Sequence, residues 1–189
     1  MPFMFKKTSL EGVLVIHPQV FGDDRGFFSE TYKKTDFVDE GITEEFVQDN
    51  HSKSAKGILR GLHYQVYPKA QGKLVRVVAG AVWDVAVDIR PHSPTFKQWF
   101  GITLSAENHT MLYIPAGYAH GFLSLEDNTH FLYKCTNDYS PEHEGGYRWD
   151  DPAFNVEWPF GEYGIQPEDV QVSGRDAGLP LLVEQGKEQ

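Results

Sequence analysis

The sequence contains a single cysteine, Cys135, so no disulfide can form within the chain. This cysteine usage suits a reducing cytosol. Long hydrophobic runs are absent as well. The first residues, MPFMFKKTSLEG, contain no apolar run long enough for a secretory signal, and no later run approaches the length of a membrane span. We therefore expect a soluble, cytoplasmic protein.

Positive charge is also scarce. The chain has 17 Lys and Arg against 27 Asp and Glu, which gives a formal net charge of −10. General binding to nucleic acid or to an anionic membrane requires a basic face. We therefore expect neither of them as a partner, and an anionic ligand would have to be held by a local cluster of cations.

Helical periodicity is almost missing. The clearest helix candidate is Thr35–Glu40, with Thr35 or Asp36 as its cap and Gly41 as its stop. The rest of the chain consists of short alternating or apolar runs between turn signals, as in VLVIHP, KLVRVVA and TMLYIP. Such spacing predicts an all-β sandwich or barrel. We expect one domain over residues 1–189, with a loop-rich segment from about Tyr147 that wraps it.

Charged side chains interrupt two of the predicted inner strands. Strict alternation places Arg60 and His63 on opposite faces, but Gly61 between them can host a bulge that brings both to one side. The loop that leads to the next strand is short enough for a hairpin. This connection predicts that His63 and Lys73 lie close together.

The strand Ala81–Arg90 carries acids on one face. Its odd positions are apolar, while its even positions include Asp84 and Asp88. A strand with carboxylates on one side shows that side to water or lines a polar cavity. Burial statistics favour the solvated face for both residues.

The stretch PAGYAHGF, residues 115–122, resembles the second motif of the cupin superfamily, whose fold is a small jelly roll, the double-stranded β-helix. In metal-binding cupins the first motif supplies His-x-His and a Glu. Here the corresponding positions are His63-Tyr64-Gln65 and Lys73. Glutamine is a poor ligand and an ammonium group repels a cation. We expect a cupin-type jelly roll with short peripheral helices and loops, and without a metal.

A longer set of motifs resembles the dTDP-4-dehydrorhamnose 3,5-epimerase family. In order they are FGDDRGFFSETY, FVQDNHSKSAKGILRGLHYQ, QGKLVRVVAGAVWDVAVDIRPHSPTF, LSAEN, IPAGYAHGF, FLYKCTNDYSP and SGRDAGLPLL, from about Leu14 to Leu182. The resemblance implies a homodimeric, cofactor-independent enzyme of dTDP-L-rhamnose synthesis. Its reaction would epimerise dTDP-4-dehydro-6-deoxy-D-glucose at C3 and C5, through enolates, to dTDP-4-dehydro-L-rhamnose.

The residues supply the chemistry that such a reaction needs. Epimerisation beside a ketone requires a base, a group that stabilises the enolate oxygen, and an acid on the opposite face. Histidine titrates near neutral pH, so His63 is the natural base. Lys73 suits the developing oxygen charge, and Tyr133 is a suitable acid. The resemblance implies the same three roles and adds Asp176 as the carboxylate that orients His63.

The resemblance also implies a set of substrate contacts. Cationic side chains would hold the diphosphate, since the arginine fork donates two hydrogen bonds at once. These cations are Arg25, Arg60, His120 and Arg175. Polar groups would hold the base and sugars, and Tyr139 would stack on thymine. The contact positions are Arg25, Glu30, Gln48, Asn50, Arg60, His120, Tyr139, Glu144 and Arg175. Arg175 stands where Lys is usual, which keeps the charge but changes the geometry of its hydrogen bonds.

Simpler interpretations compete with these roles. Arg25 could pair with Asp23 or Asp24 in a turn, and it and Glu30 could instead serve a neighbouring subunit. Tyr133 could be ordinary core, Asp176 a solvated loop acid and Glu144 a surface turn acid. At the level of function, the alternatives are a monofunctional 3- or 5-epimerase of dTDP-deoxysugar pathways, or a non-catalytic or metal-dependent cupin. The full set of His63, Lys73, Tyr133 and Asp176 argues against a binding module.

Overall fold

The computed structural model describes residues 2–182, and the strands in them form two large sheets. The order in the first sheet is β1 (Phe3–Lys7), β2 (Leu14–Pro18), β10 (Met111–Ile114), β7 (Lys73–Ala79), β12 (Thr129–Cys135) and β5 (Gln48–Ser54). The second contains β13 (Glu144–Gly146), β6 (Ile58–Gln65), β11 (Tyr118–Ser124), β8 (Ala81–Asp88) and β9 (Trp99–Ser105), with β14 (Gln171–Val172) beside β6. β14 is parallel to β6, and the other pairs are antiparallel. The all-β jelly-roll prediction is confirmed.

A core between the two sheets joins them. Val75 on β7 and Phe131 on β12 belong to the same buried cluster as Val82 on β8 and Phe122 on β11. Phe122 and Phe131 stack across this core, with ring centroids 4.3 Å apart. The inner faces of both sheets are therefore apolar at one end, and the polar groups of the site occupy the remaining part.

A small hairpin stands apart from the two sheets. It consists of β3 (Val20–Asp23) and β4 (Gly26–Ser29), which pair only with each other. Its aromatic side chains are largely exposed: Phe21 by 53%, and Phe27 and Phe28 by 64% each.

The first helix, α1, spans Lys34–Asp39, so the helix predicted at Thr35–Glu40 is present. The predicted caps are wrong, because the N-cap residue is Lys33 and its side chain makes no capping bond. Asp36 lies inside the first turn, where it pairs with Lys33. The helix lies over the outer face of the first sheet, where Phe37 is buried in an apolar cluster.

The C-terminal segment of the described chain wraps the second sheet. It contains a 3-10 turn (Pro167–Asp169), β14 and a second helix, α2 (Gly174–Ala177); another 3-10 turn (Pro141–His143) precedes it. Tyr147 and Phe154 pack on the odd-numbered side chains of β8, including Val85 and Val87. Residues 183–189 of the predicted wrap lie outside the described part. Nowhere in residues 2–182 is a helix long and apolar enough to cross a membrane.

This wrap overturns the expectation for Asp84 and Asp88. Both are fully buried, with exposed fractions of 0%. Because the C-terminal segment covers the odd-numbered face of β8, the even-numbered face points into the interior of the jelly roll. Val82 on that face belongs to the core between the sheets.

Candidate active site

His63 and Asp176 form a hydrogen-bonded pair at the centre of the site. Nε2 of His63, on β6, lies 2.7 Å from Oδ1 of Asp176, in α2. The backbone N–H of Gly61 donates to Oδ2 at 3.2 Å, and Ser173 caps α2 by accepting from the N–H of Asp176. Burial alone would raise the pKa of Asp176, but the hydrogen bond and charge of His63, with the N–H of Gly61 and the hydroxyl of Ser173, lower it overall. Asp176 is therefore an ionised carboxylate fixed by hydrogen bonds within the site, not a solvated loop acid.

A bulge in β6 brings Arg60 and His63 to the same cavity. His63 pairs with His120 on β11, while Arg60 pairs with Phe122, so three steps along β6 match two along β11. The predicted bulge is confirmed. Gly61, at φ +118°, permits it, because a Cβ there would lie 2.6 Å from the Cα of Gly121.

Lys73 lines the same cavity as His63, but not through the predicted hairpin. β6 and β7 belong to different sheets, so they do not pair. The two strands face each other across the interior, and both side chains line the cavity between the sheets. The prediction of proximity holds, but the hairpin is wrong because the chain crosses from one sheet to the other after β6.

The cavity measures about 510 Å³ and gathers seven of the predicted site residues. They are Arg60, His63, Lys73, His120, Tyr133, Arg175 and Asp176. The side chains of Lys73 and Tyr133 have no hydrogen-bond or ion-pair partner within residues 2–182. Burial lowers the pKa of Lys73 and raises that of Tyr133. Lys73 therefore favours a substrate atom that carries negative charge, and Tyr133 keeps its phenolic proton.

A second pocket of about 310 Å³ continues from the first, sharing His63, Lys73 and Tyr133 with it. Its lining adds four predicted contacts, Gln48, Asn50, Tyr139 and Glu144. The side chain of Gln48 accepts from the N–H of Tyr139 at 2.8 Å and donates to Asn50 at 2.9 Å. These bonds hold the polar wall of the pocket in a fixed arrangement.

Glu144 ties this pocket to the helix that carries Asp176. Its carboxylate accepts from the hydroxyl of Tyr139 and forms an ion pair with Arg175. Burial alone would raise the pKa of Glu144, but the bonds from Arg175 and Tyr139 lower it overall. Glu144 is therefore a partner within the site and not a surface turn acid. Arg60 differs from Arg175, because it binds Ser54 and a backbone carbonyl and pairs with no carboxylate of the described chain.

Two predicted contacts lie away from the cavity of their own chain. Arg25 is in the turn of the β3–β4 hairpin, where its guanidinium, 90% exposed, pairs with Asp23. This is the simpler pairing that the turn sequence allowed. Glu30 follows β4 and lines neither pocket.

The cupin metal positions serve other purposes in this fold. Gln65 donates to the backbone carbonyls of Lys69 and Asp138 and accepts from the N–H of Ser140. Within the described residues, no group of three or more His, Cys, Asp or Glu side chains is arranged to hold a metal ion.

Comparison with known proteins assigns the family. The family model for dTDP-4-dehydrorhamnose 3,5-epimerase matches residues 7–184. The chain belongs to this epimerase family. The enzyme of that name from Salmonella typhimurium is 54% identical over 177 residues, which cover 93% of each chain.

Solved structures of the epimerase family share the fold. The dTDP-6-deoxy-D-glucose-3,5-epimerase of Legionella pneumophila, in complex with dTDP-4-keto-L-rhamnose, has a TM-score of 0.89 at 47% identity and covers 96% of this chain and 93% of its own. A 3′-monoepimerase from Streptomyces bikiniensis, in complex with dTDP-quinovose, has a TM-score of 0.84 at 34% identity, over 93% of this chain and 86% of its own. The fold thus occurs with both one and two epimerised carbons.

Asp84 is a residue that the sequence interpretation missed and that contacts the lining of this epimerase's candidate site. It bonds His120, which the resemblance placed among the substrate contacts. The signal in the sequence was that Asp84 shares a face of β8 with two apolar residues, Val82 and Ala86.

Proposed function

We propose that this epimerase converts dTDP-4-dehydro-6-deoxy-D-glucose to dTDP-4-dehydro-L-rhamnose by inverting C3 and C5. Each inversion removes a proton beside the C4 ketone, forms an enolate and returns a proton to the opposite face. No net oxidation occurs, so the reaction balances without a redox cofactor. The observation that carries the proposal is the hydrogen-bonded pair of His63 and Asp176 in one cavity with Lys73 and Tyr133.

His63 is the base in this mechanism. Its Nε2 is held by Asp176, so Nδ1 is the nitrogen left to take the proton. Asp176 fixes the tautomer and then stabilises the imidazolium, as the carboxylate does in a catalytic triad. The low pKa of Asp176 keeps its negative charge available for this role.

Lys73 and Tyr133 supply the two remaining roles, stabilisation of the enolate oxygen and return of the proton. The side chain of Lys73 lines the cavity and has no anionic partner in the described chain. Its ammonium group would therefore stabilise the negative charge that develops on the enolate oxygen. Tyr133 keeps its proton because burial raises its pKa, so it can donate to the carbanion face opposite the base.

The cavity and the adjoining pocket also contain side chains suited to the nucleotide part of the substrate. Arg60 is a cation of the cavity without a carboxylate partner among residues 2–182, and it suits the diphosphate. Arg175 suits it too, though it must share its charge with Glu144. Gln48, Asn50 and the ring of Tyr139 lie in the adjoining pocket, where they are suited to the base and ribose.

A homodimer is part of the proposal. The β3–β4 hairpin exposes Phe21, Phe27 and Phe28 together, and apolar surface of this kind is typical of an interface. In their own chain, Arg25 in this hairpin and Glu30 just after it line neither pocket. A second copy of the chain would cover the aromatic rings and receive Arg25 and Glu30 at its own site.

A cytoplasmic location completes the proposal. The one cysteine of the chain, Cys135, is buried and unpaired, as is usual in a reducing compartment. The substrate is also a nucleotide-activated sugar, which matches the biosynthetic role of the family.

The test is turnover by the variant His63→Ala. We expect its kcat to fall by about 10³-fold or more, because the base is removed while the cavity is kept. His92→Ala is the matched control, since His92 is exposed and lies outside both pockets, and it should match the wild type. Wild-type turnover by His63→Ala would contradict the proposal, as would loss of wild-type turnover after treatment with a chelator.

A further inference from the structure

A second histidine–carboxylate pair lies beside the pair of His63 and Asp176. His120 faces His63 directly across the ladder between β6 and β11, so both rings lie on the same face of the sheet. Nε2 of His120 is 2.9 Å from Oδ2 of Asp84. His120 lines the catalytic cavity, and Asp84 lies behind it, fully buried.

The direction of this hydrogen bond determines what His120 can offer a ligand. A carboxylate only accepts, so His120 donates from Nε2. Burial lowers the pKa of His120 more than the charge of Asp84 raises it, which favours the neutral ring at pH 7. A neutral imidazole protonated on Nε2 has an acceptor at Nδ1, and Nδ1 has no hydrogen-bond partner in the described chain. Such a ring accepts from a hydroxyl group and cannot donate to a phosphate oxygen.

Asp88, on the same strand, shows what a purely structural carboxylate looks like here. It is also fully buried, and it accepts bonds from Arg90, Ser93 and Thr95. Asp84 accepts only the bond from His120, and its Oδ1 has no partner in the part of the chain that is described. A buried carboxylate with one donor is costly, so packing alone does not account for Asp84.

We propose that Asp84 is a positioning residue that holds His120 as a neutral acceptor for a hydroxyl of the substrate's sugar. The inference rests on the proposed function, since it assumes a dTDP-sugar in the cavity. It revises the role expected for His120, which the sequence placed among the cations around the diphosphate. Specificity for a hydroxylated sugar would then depend on Asp84 through the tautomer of His120.

The variant Asp84→Asn distinguishes two possible roles of His120, a contact to the diphosphate and the acceptance of a hydrogen bond from a sugar hydroxyl. An asparagine has no charge and no longer fixes the proton on Nε2. We expect kcat/KM for dTDP-4-dehydro-6-deoxy-D-glucose to fall about tenfold to hundredfold, while the Kd of dTDP alone changes by less than about twofold. Asp88→Asn is the matched control: it removes a buried carboxylate from the same strand and should leave kcat/KM of the folded enzyme unchanged.

Each other outcome has a distinct meaning. Wild-type kcat/KM in folded Asp84→Asn, or equal weakening of dTDP and the sugar nucleotide, would overturn the role of Asp84. Failure of the wild-type enzyme to bind dTDP at all would instead contradict the proposed function.

A second measurement reads the tautomer in the wild-type enzyme itself, and a variant serves only to assign the resonance. Nitrogen-15 NMR of labelled histidine, with His120 assigned by comparison with His120→Gln, reports which ring nitrogen carries the proton. We expect His120 to be protonated on Nε2 and bare on Nδ1 at pH 7. A proton on Nδ1, or on both nitrogens, would overturn the proposal.

Discussion

At the scale of single residues, the chemistry of the candidate site depends on four side chains that distant parts of the chain bring together. His63, Lys73, Tyr133 and Asp176 line one cavity although they come from four different elements. Residue chemistry and the resemblance together named all four. Asp84 was placed in solvent because strand parity defines two faces without saying which one is covered. That information lies in the C-terminal wrap, far along the chain.

The pair of His63 and Asp176 predicts a dependence of stability on pH. Because the pKa of Asp176 is lowered in the folded state, its contribution is fully present above the ordinary carboxyl pKa and is lost as the pH falls through the lowered value. Asp176→Asn should therefore reduce the free energy of unfolding by about 1–3 kcal/mol at pH 7, and by less in acid. Urea unfolding of both proteins at several pH values and one protein concentration measures this. A gap that widens as the pH falls would contradict it.

At the scale of elements, the bulge in strand β6 decides where Arg60 and His63 lie. The sequence predicted its bulge from the position of Gly61 between Arg60 and His63. It could not predict that β6 and β7 enter different sheets, because a short loop fits a hairpin and a crossover equally well. The helix at Lys34–Asp39 was found, but the helix starts before Thr35 and Asp36, so neither of them caps it.

Gly61→Ala tests the bulge. The new Cβ would meet the backbone of His120 and Gly121 within 2.7 Å, at φ +118°. We expect a loss of about 3 kcal/mol or more in the free energy of unfolding, with a lower kcat/KM. Gly41→Ala is the matched control, since Gly41 also has positive φ, +89°, but no atom within 4 Å of the added Cβ. It should cost about 1 kcal/mol and leave kcat/KM intact. Equal losses in the two variants would mean that close packing at the bulge is unimportant.

At the scale of the whole molecule, the β3–β4 hairpin is the part that a single chain leaves unexplained. Its aromatic residues are exposed, and Arg25 pairs with Asp23 in the turn and does not line the cavity that the family resemblance assigns to it. The sequence allowed contacts from a neighbouring subunit but could not choose between that arrangement and a local turn. The isolated chain has the turn pairing, and the dimer proposal gives the hairpin its role.

Mixing two inactive variants tests the shared site. In a dimer of Arg25→Ala with His63→Ala, one site is doubly changed and the other is entirely native. Random mixing should therefore restore about one quarter of wild-type activity. Arg25→Ala mixed with Glu30→Ala is the control, because both changes lie on the same donated segment and no native site forms. A lack of recovery in mixed dimers isolated from the first pair would contradict the exchange of the hairpin.

The most direct test of the central claim is solvent proton exchange during turnover. The wild-type enzyme is incubated in deuterated water with dTDP-4-dehydro-6-deoxy-D-glucose, and NMR identifies the carbons that acquire deuterium. A base that removes protons on both sides of the C4 ketone predicts deuterium at C3 and at C5. Deuterium at one carbon alone would make the enzyme a monofunctional epimerase, and its absence from both would contradict the enolate mechanism.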